Sequence, residues 1–70
     1  MGVLAEIAGT GIKVYENVKT TGQLEQRVID EFPEMFHYKY NIALNDKFIN
    51  DAKPLSDEDE MALIPPYEGG

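Results

Sequence analysis

The sequence predicts an α+β domain in which a mixed sheet of four or five strands carries one main helix on one face. Three observations favour this fold class. A glycine-rich turn separates two apolar segments near the N-terminus, a central stretch has helical periodicity, and short alternating segments fill the second half. Segments with a single apolar face are stable only when they pack together around a common core.

The first two segments predict a β-hairpin. Residues 1–8 (MGVLAEIA) are apolar apart from one glutamate, and Gly9-Thr10-Gly11 offers the positive φ that a tight turn needs. Residues 12–17 (IKVYEN) then alternate, with Ile12 and Val14 on one face and the intervening side chains on the other. Such alternation is typical of a strand with one face in water.

One amphipathic helix of about three turns is predicted after Thr20. Thr20 and Gln23 have the spacing of a capping box, and apolar side chains recur at helical spacing as far as Phe32. Pro33 ends the helix, because the residue before a proline disfavours helical backbone.

The second half of the chain predicts short strands at residues 40–44 (YNIAL), 47–49 (KFI) and 61–64 (MALI). Asn45-Asp46 is a turn signal between the first two of these strands. Pro65-Pro66 ends the last strand, because proline cannot donate a ladder hydrogen bond. Two strands, a helix and three further strands, in this order, are typical of the β-grasp fold.

The chain is long enough for one domain. A chain of 70 residues buries only about 60% of the surface that its unfolded form exposes, so one sheet on one helix is about as much core as it can build. We predict a single domain over residues 1–66 and a flexible tail over residues 67–70.

Composition narrows the possible partners and sites. The net charge of −7 makes nucleic acids and anionic membranes poor partners. The absence of cysteine excludes disulfides, thiolate zinc sites and cysteine nucleophiles. No apolar run reaches the length of a membrane span and the first residues lack a signal-peptide pattern, so we expect a cytoplasmic protein.

No side-chain pattern predicts a catalytic or metal site. His37, the single histidine, lies between two aromatic residues and is explained most simply as a connector or partly packed residue. The acidic run Asp57–Glu60 lacks the glycine of a calcium loop and is typical of a solvated loop. Gly9-Thr10-Gly11 is too short for a dinucleotide-binding loop. We therefore expect no stably bound cofactor and no metal.

The C-terminus is the remaining candidate for chemistry. Gly69 and Gly70 carry no side chains, so the backbone could enter a narrow channel and approach a reactive centre closely. Pro65-Pro66 would stiffen the approach to these glycines. A frayed terminus explains the same residues equally well on physical grounds alone.

Several segments resemble one known family. Residues 63–70 (LIPPYEGG) are similar to its terminus, in which Pro-Pro is followed by two residues and Gly-Gly. Residues 54–62 (PLSDEDEMA), 43–45 (ALN) and 4–10 (LAEIAGT) resemble three further segments of the family. By these motifs the sequence resembles the small subunit of molybdopterin synthase, a ubiquitin-like sulfur carrier of the MoaD/ThiS type, nearly from end to end.

The resemblance implies a carrier and not an enzyme. An E1-like adenylyltransferase/sulfurtransferase would use ATP to adenylate the Gly70 carboxylate, which is then converted into a thiocarboxylate. The tail, with Gly69 beside the reacting group, would enter the large subunit of molybdopterin synthase and donate sulfur to a pyranopterin precursor. By the resemblance, the residues that would contact partners form an apolar set: Phe48, Ile64, Pro65, Pro66 and Tyr67. For Phe48 and Ile64 the alternative is burial in the core.

The sequence departs from the family in three places. Glu58 stands where the family has glycine, and Tyr67 and Glu68 are larger than the family's usual residues before Gly-Gly. The family also has a strand before the segment that residues 4–10 resemble. Either Val3–Ala8 serves as the first strand, or the sheet lacks one of its central strands.

Three other functions stay open at this stage. The chain could carry sulfur for thiamine or another pathway, or modify proteins by joining Gly70 to a target lysine. It could also be a β-grasp binding module with a frayed end.

Overall fold

The computed structural model describes residues 2–7, 11–36 and 39–64 of the chain. Its elements, in chain order, are β1 (Val3–Ile7), β2 (Gly11–Tyr15), α1 (Thr21–Glu31), a short 3-10 helix (Pro33–Phe36), β3 (Asn41–Leu44), β4 (Lys47–Ile49) and β5 (Glu60–Ile64). Five strands and one main helix confirm the predicted α+β class. Among the described residues, no helix has both the length and the apolar character that crossing a membrane requires.

The strands form one mixed sheet in the order β2-β1-β5-β3-β4. β1 pairs antiparallel with β2 and parallel with β5, and β3 pairs antiparallel with both β5 and β4. This is the β-grasp arrangement. Val3–Ile7 therefore fills an interior strand position of the sheet, which is the first of the two arrangements left open by the sequence.

Helix α1 begins where the sequence predicts. The Thr20 side chain accepts a hydrogen bond from the Gln23 backbone N–H at 3.1 Å, and the Gln23 side chain accepts one from the Lys19 backbone N–H at 2.7 Å. The return bond thus lies one residue before the N-cap. The bond to Thr20 satisfies a backbone N–H that helix geometry leaves without a partner, and the bond from Lys19 fixes the residue before the N-cap to the first turn.

The core lies between α1 and one face of the sheet. Leu24 and Val28 are the fully buried apolar residues of α1, and both lie at helical spacing on the face that the sequence pattern predicts to be apolar. The strands contribute the other members of the buried cluster: Val3, Ala5, Ile7, Tyr15, Met61 and Leu63. Thr21 is also buried. Its hydroxyl accepts a hydrogen bond from the Lys53 backbone N–H at 2.8 Å, which joins the loop between β4 and β5 to the start of α1.

The other face of the sheet, which we call the outer face, is not covered by the helix. Strand alternation and register place ten side chains on it: Leu4, Glu6, Ile12, Val14, Asn41, Ala43, Phe48, Glu60, Ala62 and Ile64. Six of the seven apolar members are aliphatic or alanine, so this face is apolar along much of its width.

Strand β2 presents its apolar side chains to solvent. Ile12 and Val14 are 58% and 61% exposed on the outer face, whereas Tyr15 is buried on the helix side. A contact with α1 explains why Tyr15 and Lys13 face the helix. Glu31 accepts a hydrogen bond from the Tyr15 hydroxyl at 2.6 Å and forms an ion pair with Lys13 at 2.6 Å. The side chains of β2 alternate as predicted, but the face exposed to solvent is the one that carries Ile12 and Val14.

Two tyrosine–glutamate pairs join α1 to the rest of the fold. The Tyr15 hydroxyl donates to Glu31, and the Tyr40 hydroxyl donates to Glu25. Burial, followed by the hydrogen bond to the glutamate, raises the pKa of Tyr15 from 10.0 to about 12, and the same causes raise the pKa of Tyr40 to about 12. The folded state therefore favours both phenols in their protonated form.

Stability is expected to fall under alkaline conditions. The tyrosine contribution is fully present below the unfolded pKa of about 10 and is lost as the pH rises towards about 12, at up to ~1.4 kcal/mol per pH unit for each tyrosine. Urea unfolding at a series of pH values across this window measures the effect. The double variant Tyr15→Phe/Tyr40→Phe, which keeps all lysines, should show a shallower decline; an unchanged slope would contradict the assignment.

Glu58 has a backbone conformation that suits glycine. Its φ is +74°, in a turn where the Ser56 backbone N–H donates to the Asp59 carboxylate at 2.7 Å. That bond, and the side-chain amide of Asn45, hold the pKa of Asp59 below its usual range. The Glu58 backbone N–H donates to the carbonyl of Gly2, the residue before β1, at 3.1 Å, so the strained residue is also held by this bond.

Replacing Glu58 by glycine is expected to stabilise the fold. A left-handed residue with a Cβ costs about 1–2 kcal/mol, and glycine removes most of this cost while adding back some chain entropy. We expect a gain of about 1 kcal/mol in the free energy of unfolding, measured by urea denaturation. Asp57→Gly, at the neighbouring turn position without positive φ, should give no gain. Equal effects at both positions would disprove the strain argument.

Candidate functional site

The predicted site falls partly within the described residues. Phe48 and Ile64 are among the described residues. The domain boundary predicted at residue 66 lies outside the described ranges, and so do the other predicted site residues: Pro65, Pro66, Tyr67, Gly69 and Gly70. His37 also lies outside them. The site can therefore be built from the outer face up to Ile64, the last described residue.

Phe48 is the most exposed large apolar residue of the described chain. It lies on β4 with 71% of its surface exposed, so the structure excludes its burial in the core. β4 follows a two-residue turn in which Asn45 and Asp46 have φ values of +49° and +72°. Positive φ at both positions is typical of the type I′ turn, which matches the twist of a hairpin. The role of Phe48 in partner binding stays a prediction.

Hydrogen bonds fix this hairpin against the start of β5. The Asn45 side-chain amide donates to Asp59 at 3.1 Å, and its side-chain oxygen accepts from the Glu60 backbone N–H at 3.0 Å. The Asn45 backbone N–H donates to the Glu60 carbonyl at 2.8 Å. Asn45 thus joins the β3–β4 turn, which precedes Phe48, to the start of β5.

Ile64 is the last residue of β5 and lies opposite Asn41 of β3. It belongs to the outer face and is 38% exposed. The sequence left core and surface equally open for this residue, and the structure places it at the surface. Phe48 and Ile64 thus share the outer face of the sheet, and Ile64 is the last described residue before the Pro65-Pro66 motif.

A shallow groove of about 390 Å³ lies between these two residues and β1. Its floor is formed by Ala62 and Ala43, which pair across β5 and β3. Glu6 pairs with Ala62 on one side and Phe48 pairs with Ala43 on the other, so these four residues form a row across the strands. At about 4.8 Å per strand, Glu6 and Phe48 stand roughly 14 Å apart as the two walls.

The groove is apolar in its floor and acidic at its rim. Glu6 and Asp46 both line it, and Glu60 lies on the same face of β5. None of the described strand residues of the outer face is a lysine or arginine, because Lys13 and Lys47 alternate to the helix side. Sequence reasoning missed Glu6, Ala43, Asp46 and Ala62, since only strand register brings them together.

The described residues contain no group of three or more histidine, cysteine or acidic side chains that could hold a metal ion. The groove holds two carboxylates, small apolar side chains and an exposed aromatic ring, without a nucleophile and base in contact. Such a surface is suited to protein binding, because exposed aromatic residues are enriched at the centres of interfaces.

Comparisons with known proteins agree with this architecture. The model of the ThiS family matches residues 1–70. A solved structure, described as a protein–protein complex of subunits 1 and 2 of molybdopterin-converting factor from Helicobacter pylori 26695, contains a similar chain. The two chains are 26% identical with a TM-score of 0.75, and the match covers 100% of each.

Proposed function

Because this chain belongs to the ThiS family of ubiquitin-like sulfur carriers, we propose that it carries sulfur for molybdenum cofactor biosynthesis as the small subunit of a molybdopterin synthase. One observation carries the choice of pathway. A chain from a complex of molybdopterin-converting factor subunits matches this one over the full length of both, at 26% identity. The Pro65-Pro66 motif supports the same choice, whereas Gly69-Gly70 would serve a sulfur carrier of either pathway.

The proposed chemistry takes place on the Gly70 carboxylate. An E1-like partner joins this carboxylate to the AMP part of ATP, with release of pyrophosphate. A sulfur nucleophile from a donor then displaces AMP, which leaves one sulfur in place of one oxygen. The thiocarboxylate sulfur then forms a bond to the pyranopterin precursor, and water cleaves the bond between this sulfur and the Gly70 carbonyl carbon. The sulfur stays on the precursor and the Gly70 carboxylate is restored for another cycle.

The proposal divides the work between carrier and partners. The carrier supplies a reacting group on a tail without side chains at its end, and the partners supply the ATP site and the acceptor site. The groove, which Ile64 lines at the end of β5, offers each partner a docking surface. Binding energy gained at the groove can then be used to insert and orient the tail.

The proposed partners are the large subunit of molybdopterin synthase and the E1-like activating enzyme. The acidic net charge of −7 supports protein partners with basic surfaces over nucleic acids or anionic membranes. As part of the same proposal, the carrier acts in the cytoplasm and binds no cofactor stably, since ATP is used by the activating partner.

A second candidate is a sulfur carrier for thiamine synthesis. The family model that matches the whole chain is that of the ThiS family, which favours this alternative. The loading chemistry is the same in both cases, so the acceptor decides between them. Sulfur transfer in the presence of the large subunit of molybdopterin synthase would support the first proposal, and transfer to a thiazole precursor only would support the second.

Intact mass spectrometry tests the carrier function directly. The chain is incubated with ATP, the E1-like enzyme and a sulfur donor, and we expect a mass gain that equals replacement of one oxygen by sulfur. A chain that lacks Gly70 should gain nothing while keeping the same urea unfolding midpoint. Mass gain in the shortened chain, or none in the full chain beside a positive-control carrier, would contradict the proposal.

A further inference from the structure

We propose that the outer-face groove selects its partner by charge, and that Glu6 and Asp46 are the residues that determine this specificity. The occupant is a segment of the large subunit that places an apolar side chain between the walls formed by Glu6 and Phe48. Lysine or arginine side chains flank that apolar residue and pair with the two carboxylates. The inference rests on the proposed function, which names the large subunit as the partner.

The shape of the groove fits one inserted apolar side chain. Ala43 and Ala62 leave only methyl groups on the floor, whereas Phe48 rises beside them with 71% of its surface exposed. A volume of about 390 Å³ is within the range of pockets that bury a compact apolar group. Ile64, the last residue of β5, also lines the groove, so an inserted side chain would contact the end of that strand.

The charge around the groove fits basic flanking residues. Glu6 and Asp46 line it from opposite sides, and Glu60 adds a third carboxylate on the same face. The two lysines of the strands lie on the helix side, where Lys13 is paired with Glu31. No lysine or arginine is among the described residues that line the groove, and an interface of complementary charge would gain both association rate and specificity.

Charge also decides against the two other occupants that are at hand. The chain's own residues 65–70 carry Glu68 and the terminal carboxylate, which the acidic rim repels. A second copy of the chain would bring a further net charge of −7 and the same acidic rim. Like charges placed opposite one another across an interface are unfavourable, so a basic partner segment is the occupant that the observations favour.

Two double variants with equal charge change test the inference. Glu6→Gln/Asp46→Asn removes both rim carboxylates, and asparagine tolerates the left-handed φ of position 46. Glu34→Gln/Asp57→Asn removes two exposed carboxylates elsewhere, so that net charge and long-range steering match. Dissociation constants for the large subunit are measured by calorimetry at low and high salt.

We expect the rim variant to bind about tenfold more weakly at low salt, with a difference that shrinks at high salt, and the control to bind within about twofold of the original chain. Equal weakening by both variants would overturn the inference, because net charge alone would then explain binding. Unchanged binding by the rim variant would overturn it as well.

The same samples separate this inference from the proposed function. If the original chain gains sulfur and binds the large subunit, but the rim variant binds like the control, the inference fails and the proposed function stands. If the original chain gains no sulfur or does not bind the large subunit, the proposed function fails and the inference falls with it.

Discussion

Replacing Phe48 by aspartate is expected to weaken binding to the large subunit by about a hundredfold or more. Truncation of a central aromatic anchor costs about 2–4 kcal/mol, and a carboxylate placed in an apolar, acidic-rimmed groove adds desolvation and repulsion. Because 71% of Phe48 is exposed in the free chain, we expect the free energy of unfolding to change by no more than about 0.5 kcal/mol.

Val14→Asp is the matched control for this variant. Val14 lies on the same outer face with 61% of its surface exposed, but on β2, outside the groove. Val14→Asp introduces the same negative charge as Phe48→Asp at a similarly exposed strand position. Calorimetric titration with the large subunit should show a loss of less than about threefold for this control. Equal losses for both variants would contradict a docking role of Phe48.

Replacing Leu24 by alanine is expected to destabilise the fold by about 3 kcal/mol. Leu24 has no exposed surface and lies in the cluster between α1 and the sheet, so its truncation removes transfer free energy and leaves a cavity. A chain of 70 residues has a total stability of the order of 4–10 kcal/mol. One side chain would thus account for a large share of it.

Leu55→Ala provides the matched control for the core variant. Leu55 is only partly buried where it packs against the same cluster, and we expect its truncation to cost about 1 kcal/mol. Urea unfolding midpoints give both values. If Leu24→Ala were no more destabilising than Leu55→Ala, the core would not be centred on α1 as the structure shows.

The two variants differ in how they affect sulfur transfer. Leu24→Ala should lower activity only in proportion to the unfolded fraction, and lower temperature or an excess of partner should restore it. Phe48→Asp should remain folded and still bind weakly when the temperature is lowered. Circular dichroism measured beside the transfer assay distinguishes these outcomes.

Much of the fold is determined by the sequence on its own, because local patterns report local structure. Thr20 and Gln23 mark the start of α1, helical spacing of apolar residues marks its buried face, and Pro33 lies just after its end. Turn residues such as Asn45-Asp46 separate strands whose alternation is visible in the sequence. The sequence alone also limits the possible chemistry. The absence of cysteine excludes thiolate sites, and the Gly-Gly terminus is a candidate reactive end, because each conclusion depends only on which residues are present.

Only the tertiary structure decided which side of each strand is covered. Alternation defines two faces but not the one on which the helix lies, so Ile12 and Val14 could be assigned to solvent only after Tyr15 and Lys13 were seen to meet Glu31. The groove is a second example. Glu6, Ala43 and Ala62 are far apart in sequence, and long-range strand register alone brings them into one row beside Phe48. Register depends on packing across the whole sheet, which no local pattern contains.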